Sequence, residues 1–332
     1  MSCFHILLPL FALGLDLVFR DFRNIPHPVQ GVAWLARRLE PRARRFESRG
    51  LVCLPGIAEL QGGFLSGGFC LTIILAVTAA VVCLLGLLPG VGMIFSVYFA
   101  YAGLALGSLL REGRTALDVV AQGNIDAARQ TVSMLVSRDL SQADRDTLLK
   151  TLAETLSENF NDALVAPFFW LLLGGPVGLW IYKAVSTMDS LWGYRTEKWR
   201  YLGFVPARMD DLLAYIPARL SVLWLWLFSR FVPHAGQWPG YRRIRADADQ
   251  MESPNAGYGM SAAAWLHHGR MGGRAVYFGE VKVKPLLGPS EPAGAVWSAQ
   301  KIRDLLRHIR VAGIGGCILR WGVWALFVVS CA

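Results

Sequence analysis

The chain has 332 residues, 54% of them hydrophobic and 17% charged, with a net charge of +9. Soluble domains average about 25% charged residues, so a purely soluble protein is excluded and the composition points to an integral membrane protein with sizeable polar loops. The basic residues gather in loops beside apolar runs, as the positive-inside rule requires, and no nucleic-acid-reading module accompanies them, so no nucleic-acid partner is expected. Cys3, Cys53, Cys70, Cys83, Cys317 and Cys331 form no Cys-x-x-Cys pair and read as small hydrophobes.

In chain order, residues 6–19 form a short apolar helix without the basic flank or small-residue cleavage site of a signal peptide. A polar region, 20–68, carries Arg37, Arg38, Arg42, Arg44, Arg45 and Arg49. The runs 69–88 and 91–110 approach the ~20 residues needed to cross a bilayer, and Pro89-Gly90 between them predicts a tight helical hairpin. The arginine cluster places both outer ends of that hairpin in the cytoplasm. Residues 111–162 are polar and helical in pattern, with a break near Arg138 to Ser141. The apolar run 163–182 is interrupted by Gly174-Gly175-Pro176, which predicts a kinked span or a re-entrant hairpin. After a shorter run at 216–232 comes a polar cytoplasmic loop region, 234–310, and then a last apolar run, 311–329. The expectation is a single all-α, polytopic membrane domain over 1–332, with about four or five membrane-embedded segments. It would lie in the inner (cytoplasmic) membrane with its functional groups facing the cytoplasm.

The most informative stretch runs from Lys150 to Asp162. On a helix, Glu154, Glu158 and Asp162 fall at i, i+4 and i+8 and stack on one face, where like charges repel. Leu148, Leu152, Leu156, Phe160 and Leu164 form an apolar row about 200° away, at roughly 100° per residue. Periodicity alone fits the wet back of an amphipathic helix, started by a capping box at Ser141-x-x-Asp144. The alternative is a functional acidic ridge at the mouth of an apolar segment, where ionisable groups are costly.

Four clusters stand out from generic loop sequence. The first is Asp16-x4-Asp21-x4-Pro26-His27-Pro28. The second is Glu154-Thr155-x2-Glu158-Asn159-x2-Asp162-x4-Pro167. The third joins Ser186-Thr187-Met188-Asp189-Ser190 to Ala207-Arg208-Met209-Asp210-Asp211 and Pro217-Ala218-Arg219. The fourth is Ser253-Pro254-Asn255-Ala256-Gly257-Tyr258, continuing through Gly272-Gly273 to Lys284-Pro285. In this order, over roughly residues 14–310, they resemble the CbiB or CobD family, the adenosylcobinamide-phosphate synthases of cobalamin biosynthesis. The chain departs from the usual family pattern at Arg20, Phe22 and Ser186.

The resemblance implies ATP-dependent amide formation between a carboxylate of adenosylcobyric acid and (R)-1-aminopropan-2-ol or its O-phosphate, with Mg²⁺ and ATP required. It also implies a lipid bilayer environment and contact with other membrane enzymes of the corrinoid pathway. Carboxylates do not condense with amines unaided; ligase logic first makes an acyl phosphate, which needs Mg²⁺ on oxygen ligands and cations around the phosphate. By residue type and family position, Glu154, Glu158, Asp162 and Asp189 are the expected catalytic residues, with Glu158, Asp162 and Asp189 as Mg²⁺ ligands. Asp16, Asp21, His27, Asn159, Ser190, Arg208, Asp210, Asp211, Arg219, Asn255, Gly257, Arg274 and Lys284 are expected to contact substrate. His267-His268 reads as loop surface. A competing reading is a non-catalytic membrane sensor or scaffold of the AmpE kind, although a scaffold has little use for so many clustered carboxylates.

Overall fold

A computed structural model describes residues 3–19, 27–47, 57–194, 196–277, 279–289 and 296–330. The fold is almost entirely helical. Its helices are α1 (Cys3–Phe19), α2 (Pro28–Glu47), α3 (Ile57–Gly86), α4 (Gly92–Ala102), α5 (Leu106–Ala121), α6 (Ile125–Ser133) and α7 (Arg145–Phe160). They continue as α8 (Ala166–Trp192), α9 (Phe204–Leu213), α10 (Tyr215–Phe228), α11 (Tyr241–Ala248), α12 (Ala256–Leu266) and α13 (Ala299–Ser330). A π-helical turn, Asn161–Val165, joins α7 to α8, and a hairpin of β1 (Met271–Tyr277) and β2 (Glu280–Leu287) follows α12.

Four helical stretches are long and apolar enough to cross a membrane: Gly62–Gly86, Gly92–Ala121, Arg145–Trp192 and Ala299–Ser330. The pair Phe204–Leu213 and Tyr215–Phe231 makes a fifth if it forms one span. This is a multi-pass membrane protein with the expected number of segments. The hairpin at Pro89-Gly90 forms as predicted, with Gly90 at φ +80° and Gly92 N–H donating to the Leu88 carbonyl at 2.8 Å. The break in α8 is equally real: Gly175 takes φ +60°, ψ −158°, a region essentially reserved for glycine.

Other expectations change. The capping box at Ser141 is not used; Asp144 is the N-cap of α7, its Oδ1 accepting from Thr147 N–H at 2.8 Å. Residues 234–310 are not mainly loop, because α11, α12, the hairpin and the start of α13 together occupy most of the stretch.

Cα packing divides the chain into two compact units. The first comprises Met1–Leu104, Ala166–Ala214 and Trp324–Ala332. Within it, α2, α3, α8 and α9 pack together, around Ala36, Ile74, Val185, Met188, Trp192 and Leu202. Gly67 makes this packing close, because a Cβ there would strike the backbone carbonyl of Leu202.

The second unit comprises Ala105–Val165 and Tyr215–Val323. Its centre is α7, whose residues 148, 149 and 151–157 are buried, packed against α5, α6, α12 and β1. The Leu148, Leu152, Leu156, Phe160 and Leu164 row is at most 1% exposed, as its periodicity predicts. Gly259 of α12 lets that helix approach α7, since a Cβ there would lie 2.6 Å from the Ser157 carbonyl oxygen. The antiparallel hairpin pairs Gly273 with Lys284 and Arg274 with Val283, with a register shift between Met271 and Gly273. Asp139 N–H donates to the Val276 carbonyl at 2.9 Å, which ties the loop before α7 to β1.

Gly67→Ala and Gly259→Ala should each lower stability by about 1–3 kcal/mol, the usual cost of overpacking. Gly14→Ala and Gly322→Ala, where an added Cβ meets nothing within 4 Å, should not destabilise. Thermal melts of detergent-solubilised variants check both pairs.

Candidate active site on the acidic helix

The solvated back expected of an amphipathic α7 is absent at Glu154, which is 1% exposed. An ionised carboxylate is tolerated there only with compensation, and two groups provide it. Arg138, from the loop between α6 and α7, brings its Nη2 to 2.6 Å from Glu154 Oε2. On the other oxygen, Gly272 N–H of β1 donates to Oε1 at 2.7 Å. The Arg138–Oε2 contact is close in distance but not aligned as a hydrogen bond, so the pair is held chiefly by charge. Burial pushes the Arg138 guanidinium down, but the adjoining Glu154 carboxylate outweighs it and holds the group above its usual range.

Arg138 is itself positioned. Its Nη1 donates to Thr151 Oγ1 at 3.3 Å, and its guanidinium stands 5.8 Å from the Tyr277 ring centroid. Gly272 has to be glycine: φ is +84° and a Cβ would strike the Pro285 carbonyl. Its own carbonyl accepts from Lys150 Nζ at 2.9 Å. One residue of β1 thus binds two positions of α7, one turn apart.

Further along α7, Glu158 is half-buried and within electrostatic reach of Lys284, Asp162, Glu154 and Arg138. Lys284 reaches it from β2, its Nζ 5.2 Å from the Tyr277 ring centroid. Asn159 Nδ2 donates to Thr155 Oγ1 at 3.1 Å, and Asn161 Nδ2 donates to Asp162 Oδ1 at 2.8 Å. Asp162 lies in the π turn, whose wider winding takes it off the straight i+4 row that the sequence suggests.

A second cluster of this unit centres on Arg219 of α10. Its guanidinium lies 3.5 Å from the Tyr215 ring centroid and 4.0 Å from that of Tyr258, and Nη1 donates to Asn255 Oδ1 at 2.7 Å. Arg219 and Asn255 therefore meet. Gly257 does something else: a Cβ there would lie 2.7 Å from Ala248 Cα, so its role is close packing of α12 on α11. Arg274 is exposed on β1.

The remaining candidates belong to the first unit. Asp16 of α1 is fully buried. Asp21 lies outside the described residues. His27 precedes α2, its Nδ1 accepting from Val29 N–H at 3.3 Å and its ring 6.1 Å from that of Trp180. Asp189 ends α8 half-buried, with Ser190 exposed beside it. On α9, Arg208 pairs with Asp211 at 3.7 Å, and Asp210 is half-buried. Arg208 and Asp211 line a cavity of about 470 Å³ with Tyr194 and Trp199.

The expected Mg²⁺ ligands thus divide, Glu158 and Asp162 in the second unit and Asp189 in the first. Among the described residues no three His, Cys, Asp or Glu side chains converge as a ready-made metal group. Glu158 and Asp162 still fit Mg²⁺, which is usually held by one or two carboxylates with waters and substrate phosphates.

Several residues escape sequence reasoning. Arg138 marks only a helix break in the sequence. Asp247 of α11 gathers Ser261 Oγ, Trp265 Nε1 and Gly288 N–H on a single oxygen at 2.8–3.0 Å, and no motif announces it. His267 is not loop surface; it is 3% exposed, with Nε2 3.0 Å from His308 Nδ1. His308 Nε2 lies 2.6 Å from the Leu225 carbonyl oxygen, which can only accept. His308 therefore carries its proton on Nε2, and His267 Nε2–H donates to His308 Nδ1. Burial, then the neighbouring His308, His268 and Lys301, push His267 down to about 3.

Arg138→Met should cost about 3–5 kcal/mol by stranding a buried carboxylate. Adding Glu154→Met should recover much of that loss in a double-mutant thermal series. Because the folded pKa of His267 lies below its unfolded value, its neutral form contributes full stability above about pH 6.5. That contribution falls progressively as the pH drops toward 3. The slope of melting temperature against pH over this window should flatten in His267→Gln.

Residues 9–309 match the family model described as "CobD/Cbib protein". A protein of Pelobacter propionicus named "Cobalamin biosynthesis protein CobD" is 36% identical over 95% of this chain and 94% of its own length. A protein of the same name from Listeria monocytogenes is 34% identical over 82% of this chain and 85% of its own. Another, from Clostridium perfringens, is 29% identical over 90% and 93%. No solved structure matches. With nearly the whole chain inside the family model and relatives of this identity along most of its length, the protein belongs to the CobD/CbiB family.

Proposed function

We propose that this protein is a membrane-embedded enzyme of cobalamin biosynthesis. It joins a carboxylate of adenosylcobyric acid to (R)-1-aminopropan-2-ol or its O-phosphate in an ATP-dependent amide synthesis. The family and the names of the relatives support the pathway. The observation that supports the chemistry is the acidic helix: Glu154 is held inside the protein by Arg138 and Gly272, beside the half-buried Glu158.

On this reading Glu154 is a positioning residue, because both its oxygens are already engaged. It holds α7 against β1 and sets the place of the next acids. Glu158 and Asp162 are the working carboxylates. One accepts a proton from the amine, which attacks only as its neutral form, and together they offer oxygen ligands to Mg²⁺. Bound Mg²⁺ would neutralise phosphate charge during activation of the corrinoid carboxylate by ATP. Lys284 supplies positive charge on the facing strand, suited to an anionic reacting group. Arg219, fixed between two tyrosines and hydrogen-bonded to Asn255, offers a rigid guanidinium for a substrate carboxylate or phosphate. The arginine-rich α2 supports a site facing the cytoplasm.

The test is a product assay on the purified protein in lipid, with adenosylcobyric acid, ATP, Mg²⁺ and either amine, read by mass spectrometry. Amide product with one amine preferred is expected. Glu158→Gln and Asp162→Asn should each lower turnover by about 10²-fold or more while the melting temperature stays near that of the parent. Absence of product from folded protein would favour the scaffold reading. Near-parental turnover in both variants would remove the acidic ridge from the chemistry.

A further inference from the structure

Beside Gly272 lies a second cavity of about 380 Å³. Lys150, Arg270, Gly272, Gly273 and Trp297 line it, with the exposed Asp146 at its edge. None of these side chains has a part in the mechanism above.

The wall is built to present positive charge. Lys150 comes from α7, and one of its three N–H groups goes to the Gly272 carbonyl at 2.9 Å, which points the ammonium into this region. Arg270 enters from the segment before β1, and its carbonyl is pinned by Trp297 Nε1 at 3.0 Å. Gly273 takes φ +81°, and a Cβ there would come to 4.0 Å from Lys150 Nζ. Lys150 and Arg270 place two cationic groups on the cavity lining, which suit a phosphate better than a neutral group. Ligand pockets run about 300–1,000 Å³, so this one takes a nucleotide or a small phosphate ester and not a corrin macrocycle.

We infer that this cavity binds the phosphate group of a phosphorylated substrate of the amide synthesis, either ATP or the aminopropanol phosphate. The inference rests on the synthase reading and adds a place for the phosphate that no motif marks. Gly272 then serves both groups of α7: its N–H holds the Glu154 carboxylate, and its carbonyl holds the phosphate-binding lysine.

The experiment uses the full chain in lipid nanodiscs and needs no turnover. An amine-reactive reagent labels Lys150, and mass spectrometry follows the labelling in the presence of Mg²⁺ with a non-hydrolysable ATP analogue, aminopropanol phosphate, or free aminopropanol. One of the two phosphate compounds should slow Lys150 labelling at least tenfold, with free aminopropanol without effect; which one succeeds identifies the source of the phosphate. Arg270→Gln should weaken that compound's binding at least tenfold. The proposal is overturned if neither phosphate compound protects Lys150 in the parent protein, a result that does not depend on any variant folding. Amide product from protein whose Lys150 stays unprotected would sink this site and leave the synthase standing. Protection without any product would do the reverse.

Discussion

A carboxylate buried to 1% exposure must be answered by its surroundings, and much of the second unit is arranged as the answer to Glu154. The loop between α6 and α7 has to deliver Arg138, and β1 has to deliver the Gly272 N–H. Those two deliveries fix the irregular segments. Asp139 is tied to Val276 of β1 immediately after Arg138, and Gly272 takes a left-handed conformation under the Pro285 carbonyl. The hairpin thus serves as a brace for the acidic helix, with Lys284 on the second strand near Glu158.

The same economy of contact runs through the helices. Small residues bring backbones together where a side chain would hold them apart: Gly259 against Ser157, Gly257 against Ala248 and Gly67 against Leu202. In the membrane-spanning α3 there is little hydrophobic drive beyond that already supplied by lipid, so the close approach at Gly67 contributes to its packing. Arg219 shows a complementary solution. Its charge is covered by two tyrosine rings while its N–H groups remain directed to Tyr215 O and Asn255 Oδ1, a planar cation made compatible with a crowded site.

The helices and their turns were legible because their causes are local. A run of apolar residues, Pro89-Gly90, and Gly174-Gly175-Pro176 each act within a few positions, and each produced the expected element. The leucine row of α7 was legible for the same reason. The fate of the acidic row was not, since period 3.6 separates two faces without saying what covers the second. That depends on Arg138 and Gly272, which reach Glu154 from an irregular loop and a strand. The hairpin hid because β1 opens on Gly272-Gly273 and β2 carries Pro285, although Glu280 to Lys284 alternates in the period of a strand. Asp247 and the His267–His308 pair were silent because each is defined by partners brought together only by folding.

Gly272 is 118 residues beyond Glu154 in the chain. At the ~5–20 residues per second of protein synthesis, about 6–24 seconds pass between the emergence of the acid and that of its second donor. During that interval Glu154 has Arg138 but lacks its second donor, so a carboxylate that the finished fold buries is left to water and one guanidinium until the strand that seals it has been made.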